Sequence, residues 1–326
     1  MKIAIVGATG EVGRMMLTCL GEQNIVFDEL DLFASAKSAG SLLYLEDKAI
    51  EVQVLNEKSL LKHYDYVLFS AGAGIALTYA PIALAACSVI IDNSSAFRRE
   101  PHIPLVVPEV NGDQLEGYTG IIANPNCSTI QMILPLAVLD DLFGLTKVVV
   151  STYQSVSGSG NKGVQTLLNQ RKGGSDIGIY SELIDLNVIP QIGGLLDSGY
   201  CQEEDKMHHE TRKILRNEDL KVVATTVRVP VYYGHCDSVY AEFEQKIELK
   251  KAEQALRNSE SIVYAQNTYD TPLSIGNSDF SHVSRLRSGA DDHSLVFWNV
   301  GHNVRLGAAT NAVRILIRHA KYSRKM

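Results

Sequence analysis

Lys2-Ile-Ala-Ile-Val6-Gly7-Ala-Thr9-Gly10-Glu11-Val12-Gly13 is the stretch that decides the fold. Ile3 to Val6 is a short, unbroken apolar run, the pattern of a strand buried on both faces. Behind the glycines, Val12, Met16 and Cys19 recur at helical spacing, with Met15 and Leu20 widening the stripe. A strand, a glycine turn and a helix together make a pyrophosphate site. Glycines admit the phosphate to the backbone, and the helix N-terminus supplies N–H donors and positive potential. The spacing is G-x-x-G-x-x-G, and Gly7, Thr9, Gly10, Glu11 and Val12 are the candidate cofactor contacts.

The runs that follow continue an α/β Rossmann-type reading. Asp31 to Ala34 predicts the second strand, which ends in Ser35-Ala-Lys37-Ser38. An NAD site places a carboxylate near that end to hold the ribose 2′-hydroxyl. Lys37 and the hydroxyl of Ser35 suit a 2′-phosphate instead, so NADP is the expected cofactor. Tyr66 to Phe69 predicts a further strand, with Ser70 and Gly72 in the loop over the cofactor. Ile75 to Ile91 is the most apolar stretch, but Pro81 interrupts it; it reads as a helix feeding a strand over Ser88–Ile91. A polar loop, Asp92-Asn-Ser-Ser95-Ala-Phe-Arg98, follows. Strands are also expected at Leu105–Val107 and Gly120–Ala123.

The last of these runs into Asn124-Pro-Asn126-Cys127-Ser-Thr129 and then an apolar helical run from Ile130 to Leu142. A thiol at the first turn of a helix faces unpaired N–H groups and the positive end of the macrodipole, both of which favour thiolate. Cysteine is often a small core residue, but Asn, Ser and Thr suit a cap or turn. The strand order also puts Cys127 at the carboxyl edge of a nucleotide sheet, where ligands bind. Cys127 therefore reads as reactive.

The second half reads as strands and helices of a large mixed, mostly antiparallel sheet. Strands are expected at Lys147–Tyr153, Val222–Val229, Val239–Ile247 and Leu295–Val300, and helices near 162–170, 203–215 and 250–258. Ser157 and Gly158 lie in a glycine-rich turn. His235 falls in Gly234-His-Cys-Asp-Ser238, read as a turn between strands and well placed for acid/base work. From Gly307 the chain returns to helix, with Ala309, Val313, Leu316 and Ala320 on one face. The expected division is 1–126 plus 308–326 for the nucleotide domain and 127–307 for an α+β catalytic and dimerisation domain.

Apolar residues make up 45% of the 326 and charged residues 21%, with a net charge of −7, so nothing points to nucleic acid or an anionic membrane. Five scattered cysteines without a C-x-x-C pair fit a reducing compartment rather than a disulfide framework or a zinc site. The first residues enter a strand at once, which argues against a signal peptide. A cytoplasmic protein without a metal is expected.

Six motifs in register resemble the aspartate-semialdehyde dehydrogenase family over essentially the whole chain. They are Gly7-x-x-Gly10-x-x-Gly13, Asp92-Asn-Ser-Ser-Ala-Phe-Arg98, Asn124-Pro-Asn-Cys-Ser-Thr129, Ser151-Thr-Tyr-Gln154-x-Val-Ser157-Gly, Glu203-Glu-x-Lys206-Met, and Arg228-x-Pro-Val with Gly234-His235. The resemblance implies NADPH-dependent reductive dephosphorylation of aspartyl β-phosphate to aspartate semialdehyde and phosphate. That step serves lysine, threonine, methionine and diaminopimelate synthesis. It further implies Cys127 as nucleophile forming a thioacyl enzyme, His235 as acid/base and Gln154 as the amide orienting the acyl group. Arg228 would bind the α-carboxylate and Glu203 the α-amino group. Arg98 and Lys206 would clamp phosphate, with Ser95 and Asn126 lending hydrogen bonds, and Ser157-Gly158 would lie by the nicotinamide. A homodimer, or a homotetramer, is implied.

The chain departs from the family in three places. Cys236 stands where serine is usual, and a thiol is the weaker donor, so a change in how His235 is positioned is expected. The run Val300–Asn311 lacks the usual lysine and tryptophan while keeping Gly-Ala-Ala-x-Asn, and the 171–200 segment is short. Two other readings are an N-acyl-glutamyl-phosphate reductase, in which Glu203 would have no amino group to bind, and a silent nucleotide-binding paralogue, which would be expected to have lost Cys127, His235 or Arg228.

Overall fold

A computed structural model describes residues 1–323. The chain divides into two compact units, Met1–Pro125 with Ala308–Met326, and Asn126–Gly307.

The first unit is built on a seven-stranded sheet. Its elements run β1 (Lys2–Val6), α1 (Glu11–Glu22), β2 (Glu29–Ala34), β3 (Leu42–Leu45), β4 (Lys48–Val54), α2 (Glu57–Leu60), β5 (Tyr66–Phe69), α3 (Ala73–Ala85), β6 (Val89–Asp92), α4 (Pro108–Asn111) and β7 (Ile121–Ala123). The order is β3-β4-β2-β1-β5-β6-β7, with every pairing parallel except β3 with β4. Alternate residues of the parallel strands feed two cores. Ile3, Ile5, Leu32, Tyr66 and Leu68 pack on one face, with α1 and the chain's last helix. Ala4, Val6, Phe33, Val67 and Phe69 pack on the other, with α3. Burial on both faces is why these strands read as unbroken apolar runs. The apolar stretch from Ile75 becomes α3 and β6, and among the described residues no helix is long and apolar enough to cross a membrane.

The second unit begins with α5 (Cys127–Phe143), then β8 (Leu145–Gln154), α6 (Gly160–Arg171), α7 (Gln202–Leu215), β9 (Lys221–Arg228), β10 (His235–Phe243), α8 (Leu249–Asn258), β11 (Ile262–Ala265), β12 (Ser281–Ser288) and β13 (Ser294–Gly301). Its sheet order is β11-β12-β13-β10-β8-β9, parallel at the two ends and antiparallel between. α5 is buried almost all round because it packs on β8, β10, β12 and β13 and also meets α7 and α8. A π-turn, Arg305–Thr310, leads to α9 (Asn311–Tyr322), whose Ala312, Val313, Ile315, Leu316 and Ala320 join the first unit's core.

Some sequence expectations need correction. Leu105–Val107 is not a strand of its own: Leu105 makes a single bridge to Ala123, and Val107 caps α4. β10 starts at His235 rather than Val239 and ends at Phe243. β3, β4, β11 and β12 were not read from the sequence. β3 and β4 are mixed in pattern and mostly exposed, so they carry little periodic signal.

Candidate active site

Cys127 is the first residue of α5, and Asn126 is its N-cap. The Asn126 side-chain oxygen accepts from the N–H groups of Ser128 and Thr129 at 3.0 and 3.3 Å. This is the capping role for which asparagine is preferred. Two carboxylates of α7 hold the same residue. Its Nδ2 donates to Glu203 Oε1 at 2.8 Å, and its backbone N–H to Glu210 Oε2 at 2.6 Å. One of the two Nδ2 protons of Asn126 is thereby taken up by Glu203. Cys127 is half-buried, in no disulfide, and packed so closely on Gly307 that a Cβ there would stand 2.7 Å from the cysteine's own.

Glu203 is buried, and its Oε2 pairs with Lys206 Nζ at 3.0 Å. Burial pushes its carboxyl up, but Lys206, the Asn126 amide and Arg228 together hold it down at about 2. Glu203 is thus a buried anion with cations on two sides. Glu210 was missed by the sequence reading. Glu203, Met207, Glu210, Thr211 and Ile214 form the buried stripe of α7, and carboxylates at apolar stripe positions were the available signal.

Arg228 ends β9 and stands in register beside Gln154, the last residue of β8. Both are buried, and Arg228 Nη1 donates to the Ser155 carbonyl at 2.6 Å. Gln154 Nε2 has a long contact, 3.4 Å, to Thr152 Oγ1.

His235 is fully buried at the start of β10, so the turn expected from the sequence is a strand end. Its Nδ1 receives the Ser155 backbone N–H at 3.1 Å and lies 3.0 Å from Ser155 Oγ. A backbone N–H can only donate, so the network assigns the neutral tautomer with its proton on Nε2. Nε2 itself has no hydrogen-bond partner among the described residues. Burial first, and the Arg228 charge second, pull this imidazole down to about 3, so it is neutral near pH 7. Gly158 makes room for the pair. A Cβ on it would stand 2.8 Å from Arg228 Nη1 and 3.1 Å from His235 Nε2. A neutral N–H donor beside a guanidinium, both buried, can bind a carboxylate and stabilise charge growing on oxygen.

The anchor of His235 was not visible in the sequence. Asn303 Oδ1 accepts from Ser155 Oγ and Ser157 Oγ, both at 3.2 Å, and from the Gly234 N–H at 3.0 Å. Contrary to the expectation from the sequence, the Cys236 thiol does not position His235. Neighbouring strand residues point to opposite faces. The Cys236 side chain lies on the other face of the sheet, clustered with Ile275, Val300 and Trp298. Burial, then Asp237, pushes its thiol well above the usual range, so it stays protonated.

In the first unit, Gly7 has φ +82°, and Gly13 has no room for a Cβ, which would stand 2.3 Å from the Gly7 carbonyl oxygen. These are the strained turn and the close helix–strand approach that a dinucleotide loop needs. Ser70 Oγ donates to the Val6 and Gly7 carbonyls at 3.1 and 3.0 Å, bracing that loop. Gly10 and Gly72 are the exposed N-caps of α1 and α3, and Ser35 and Lys37 are exposed just past β2. Thr9, Glu11 and Val12 are half-buried at the start of α1. Arg98 is buried and donates from Nη2 to the Asn93 carbonyl at 3.0 Å, whereas Ser95 is exposed. Among the described residues no cluster of His, Cys, Asp and Glu could hold a metal.

A nucleotide sheet followed by a sheet domain with a cysteine at its first helix start defines a class, and the family comparison agrees. Residues 2–118 match the semialdehyde dehydrogenase NAD binding domain, and residues 136–306 the semialdehyde dehydrogenase dimerisation domain. The chain is 43% identical to the aspartate-semialdehyde dehydrogenase of Aquifex aeolicus, covering 96% of each, and 41% identical to that of Campylobacter jejuni, again covering 96% of each. A crystal structure of aspartate semialdehyde dehydrogenase II from Vibrio cholerae, complexed with ASA, superposes with a TM-score of 0.95 at 39% identity over 98% of both chains. The chain belongs to the aspartate-semialdehyde dehydrogenase family.

Proposed function

We propose that the protein catalyses the NADPH-dependent reductive dephosphorylation of L-aspartyl 4-phosphate to L-aspartate 4-semialdehyde and phosphate. The observation that carries this reading is the buried row Asn126, Glu203, Arg228, His235 behind Cys127, with an anion for an ammonium and a guanidinium for a carboxylate. An amino acid with both α-groups free fits that row. An N-acylated substrate would offer Glu203 no ammonium, which disfavours the glutamyl-phosphate alternative.

Cys127 Sγ attacks the acyl carbon of the substrate; the bond to the phosphate oxygen breaks, and phosphate leaves with the electron pair. The positive end of α5 favours negative charge at the sulfur. Gln154 orients the acyl group, and Arg228 and Glu203 fix the α-carboxylate and α-amino groups. Arg98 and Lys206 bind the phosphoryl group, with Ser95 as a further donor. Asn126 caps α5 and holds Glu203, and its second amide proton is a further donor to the phosphoryl group. The reduced nicotinamide supplies the hydride. His235 Nε2–H donates to the acyl oxygen as charge builds there, and collapse to the aldehyde returns the thiolate.

The glycine loop Gly7, Thr9, Gly10, Glu11 and Val12, braced by Ser70 and capped nearby by Gly72, fits a pyrophosphate. Ser157 and Gly158 suit the nicotinamide end. Ser35 and Lys37, with no carboxylate at the end of β2, favour a 2′-phosphate and hence NADP. A homodimer is proposed through the face of the second sheet opposite α5. Tyr153 is exposed on that face, and Trp298 and Arg287 line a cavity of about 380 Å³ there. A cytoplasmic location is proposed from the cysteine usage alone.

The test is phosphate-dependent NADP reduction with aspartate semialdehyde, run beside NAD and beside an N-acyl-glutamate semialdehyde. Turnover confined to the first substrate, and none in Cys127→Ala, is expected. Normal turnover in Cys127→Ala sinks the assignment, and silence with every pair favours a nucleotide-binding paralogue.

A further inference from the structure

Asp237 is a fully buried acid that the mechanism above leaves unused. It lies two residues beyond His235 on β10, on the same face of the sheet as the imidazole. Gln131, one turn beyond Cys127 on α5, reaches both residues. Its Nε2 donates to Asp237 Oδ2 at 2.6 Å and to the His235 backbone carbonyl at 3.2 Å. One amide therefore ties the cysteine's helix to the histidine's strand. There is no slack around it, because a Cβ on Gly301 would stand 2.7 Å from Gln131 Oε1. Directly across from Asp237 is Asn299 of β13, whose Nδ2 is taken up by Ser281 Oγ and the His282 carbonyl.

The hydrogen-bond inventory of this knot is short of donors. Asp237 Oδ1, Gln131 Oε1 and Asn299 Oδ1 are all buried acceptors without a partner. Flipping an amide does not cure this, since both side-chain nitrogens already donate to acceptors. Buried polar atoms are rarely left so, and a proton on the acid supplies a donor that pairs Asp237 Oδ1 with one of the two amide oxygens. We propose that Asp237 is a positioning residue for the reaction assigned above, held as a neutral carboxylic acid that clasps Gln131 and Asn299 and so fixes His235 relative to the Cys127 helix.

The surroundings agree. Gln131 from α5, Thr152 from β8 and Asn299 from β13 flank Asp237, and none of the three is charged. On its own strand the neighbours are His235, neutral, and Cys236, which points to the other face. Burial pushes the Asp237 carboxyl up to about 8, with only the Gln131 bond pulling it down. An unfolded aspartate titrates near pH 4. Between about pH 4 and about 8 the folded state thus binds one proton more than the unfolded. Stability falls as pH rises across that window, about tenfold in the folding equilibrium per unit, and is level outside it.

Asp237→Asn supplies the same donor without a proton to lose. The experiment compares wild type, Asp237→Asn and Asp237→Leu by thermal unfolding from pH 5 to 9, by kcat and KM, and by the alkylation rate of Cys127. The Tm of Asp237→Asn relative to wild type is expected to climb from pH 5 to 8 and then level off. Asp237→Leu is expected to lose roughly 10–100-fold in kcat with KM little changed, as a misplacement of reacting groups near 1 Å does, and Asp237→Asn to recover most of that loss. Gln131→Met serves if Asp237→Leu does not fold, with the same loss in kcat expected. A Tm difference that stays constant with pH overturns the proposal, as does an Asp237→Asn enzyme no better than Asp237→Leu. The thermal measurement uses no substrate, so it judges the clasp even if the assigned reaction is wrong. Absence of wild-type turnover would count against that assignment alone.

Discussion

Gly158→Ala is the most direct test of how tightly the site is built. The added Cβ would stand 2.8 Å from Arg228 Nη1 and 3.1 Å from His235 Nε2, where ordinary contact begins at 3.4 Å. The guanidinium is therefore about 0.6 Å too close. It cannot simply withdraw, because the same nitrogen is bound to the Ser155 carbonyl at 2.6 Å, and the His235 ring is tied back to Ser155 as well. The Gly158 φ is not in the left-handed region, so the cost is steric and not conformational. Overpacking of this kind costs about 1–3 kcal/mol, or about 2–4 °C of Tm for each kcal/mol in a domain of this size. A displacement approaching 1 Å at reacting groups costs up to about 100-fold in rate. A loss of roughly 30–100-fold in kcat/KM for aspartate semialdehyde is expected. Gly74→Ala, where a Cβ meets nothing within 4 Å, is the control and should leave activity intact. A Gly158→Ala enzyme within twofold of wild type would show that Arg228 and His235 do not flank one binding position.

The anchor behind His235 gives a second expectation. Asn303→Ala removes an oxygen that accepts three hydrogen bonds, and leaves buried donors at about 1–3 kcal/mol each before relaxation. Calorimetry should show a lower Tm, and kcat should fall more than KM rises; an unchanged kcat would separate Asn303 from the imidazole. pH supplies a third. The buried His235 ring is held down to about 3, whereas an unfolded histidine titrates near 6.5. The unfolded state binds the extra proton between those values, so this contribution is present above about pH 6.5 and is lost as pH falls towards 3. His235→Gln should unfold less steeply with acid than wild type in urea titrations from pH 7 to 4. Parallel curves would mean that the ring is already charged in the folded state.

Much of the first unit was legible in the order of residues, because its signals are local. The run Ile3–Val6 is apolar throughout since both faces of β1 are covered, and Gly7 and Gly13 are required by a turn and a close approach a few residues apart. The start of α5 was legible for the same reason, with Asn126 capping the residues that immediately follow it. Cys127, Glu203, Arg228 and His235 could be named as candidates from their motifs.

What each of them touches was decided only by the tertiary structure. His235 is held by Ser155 and, through it, by Asn303; Glu210 meets the backbone of Asn126; Gln131 joins Asp237 to the His235 carbonyl. These partners lie far apart in the chain and meet through strand register and helix packing, which leave no periodic trace in sequence. The face of Cys236 is the plainest case. A one-residue step along a strand reverses a side chain's direction, and only the position at which β10 begins shows that the thiol turns away from the imidazole beside it.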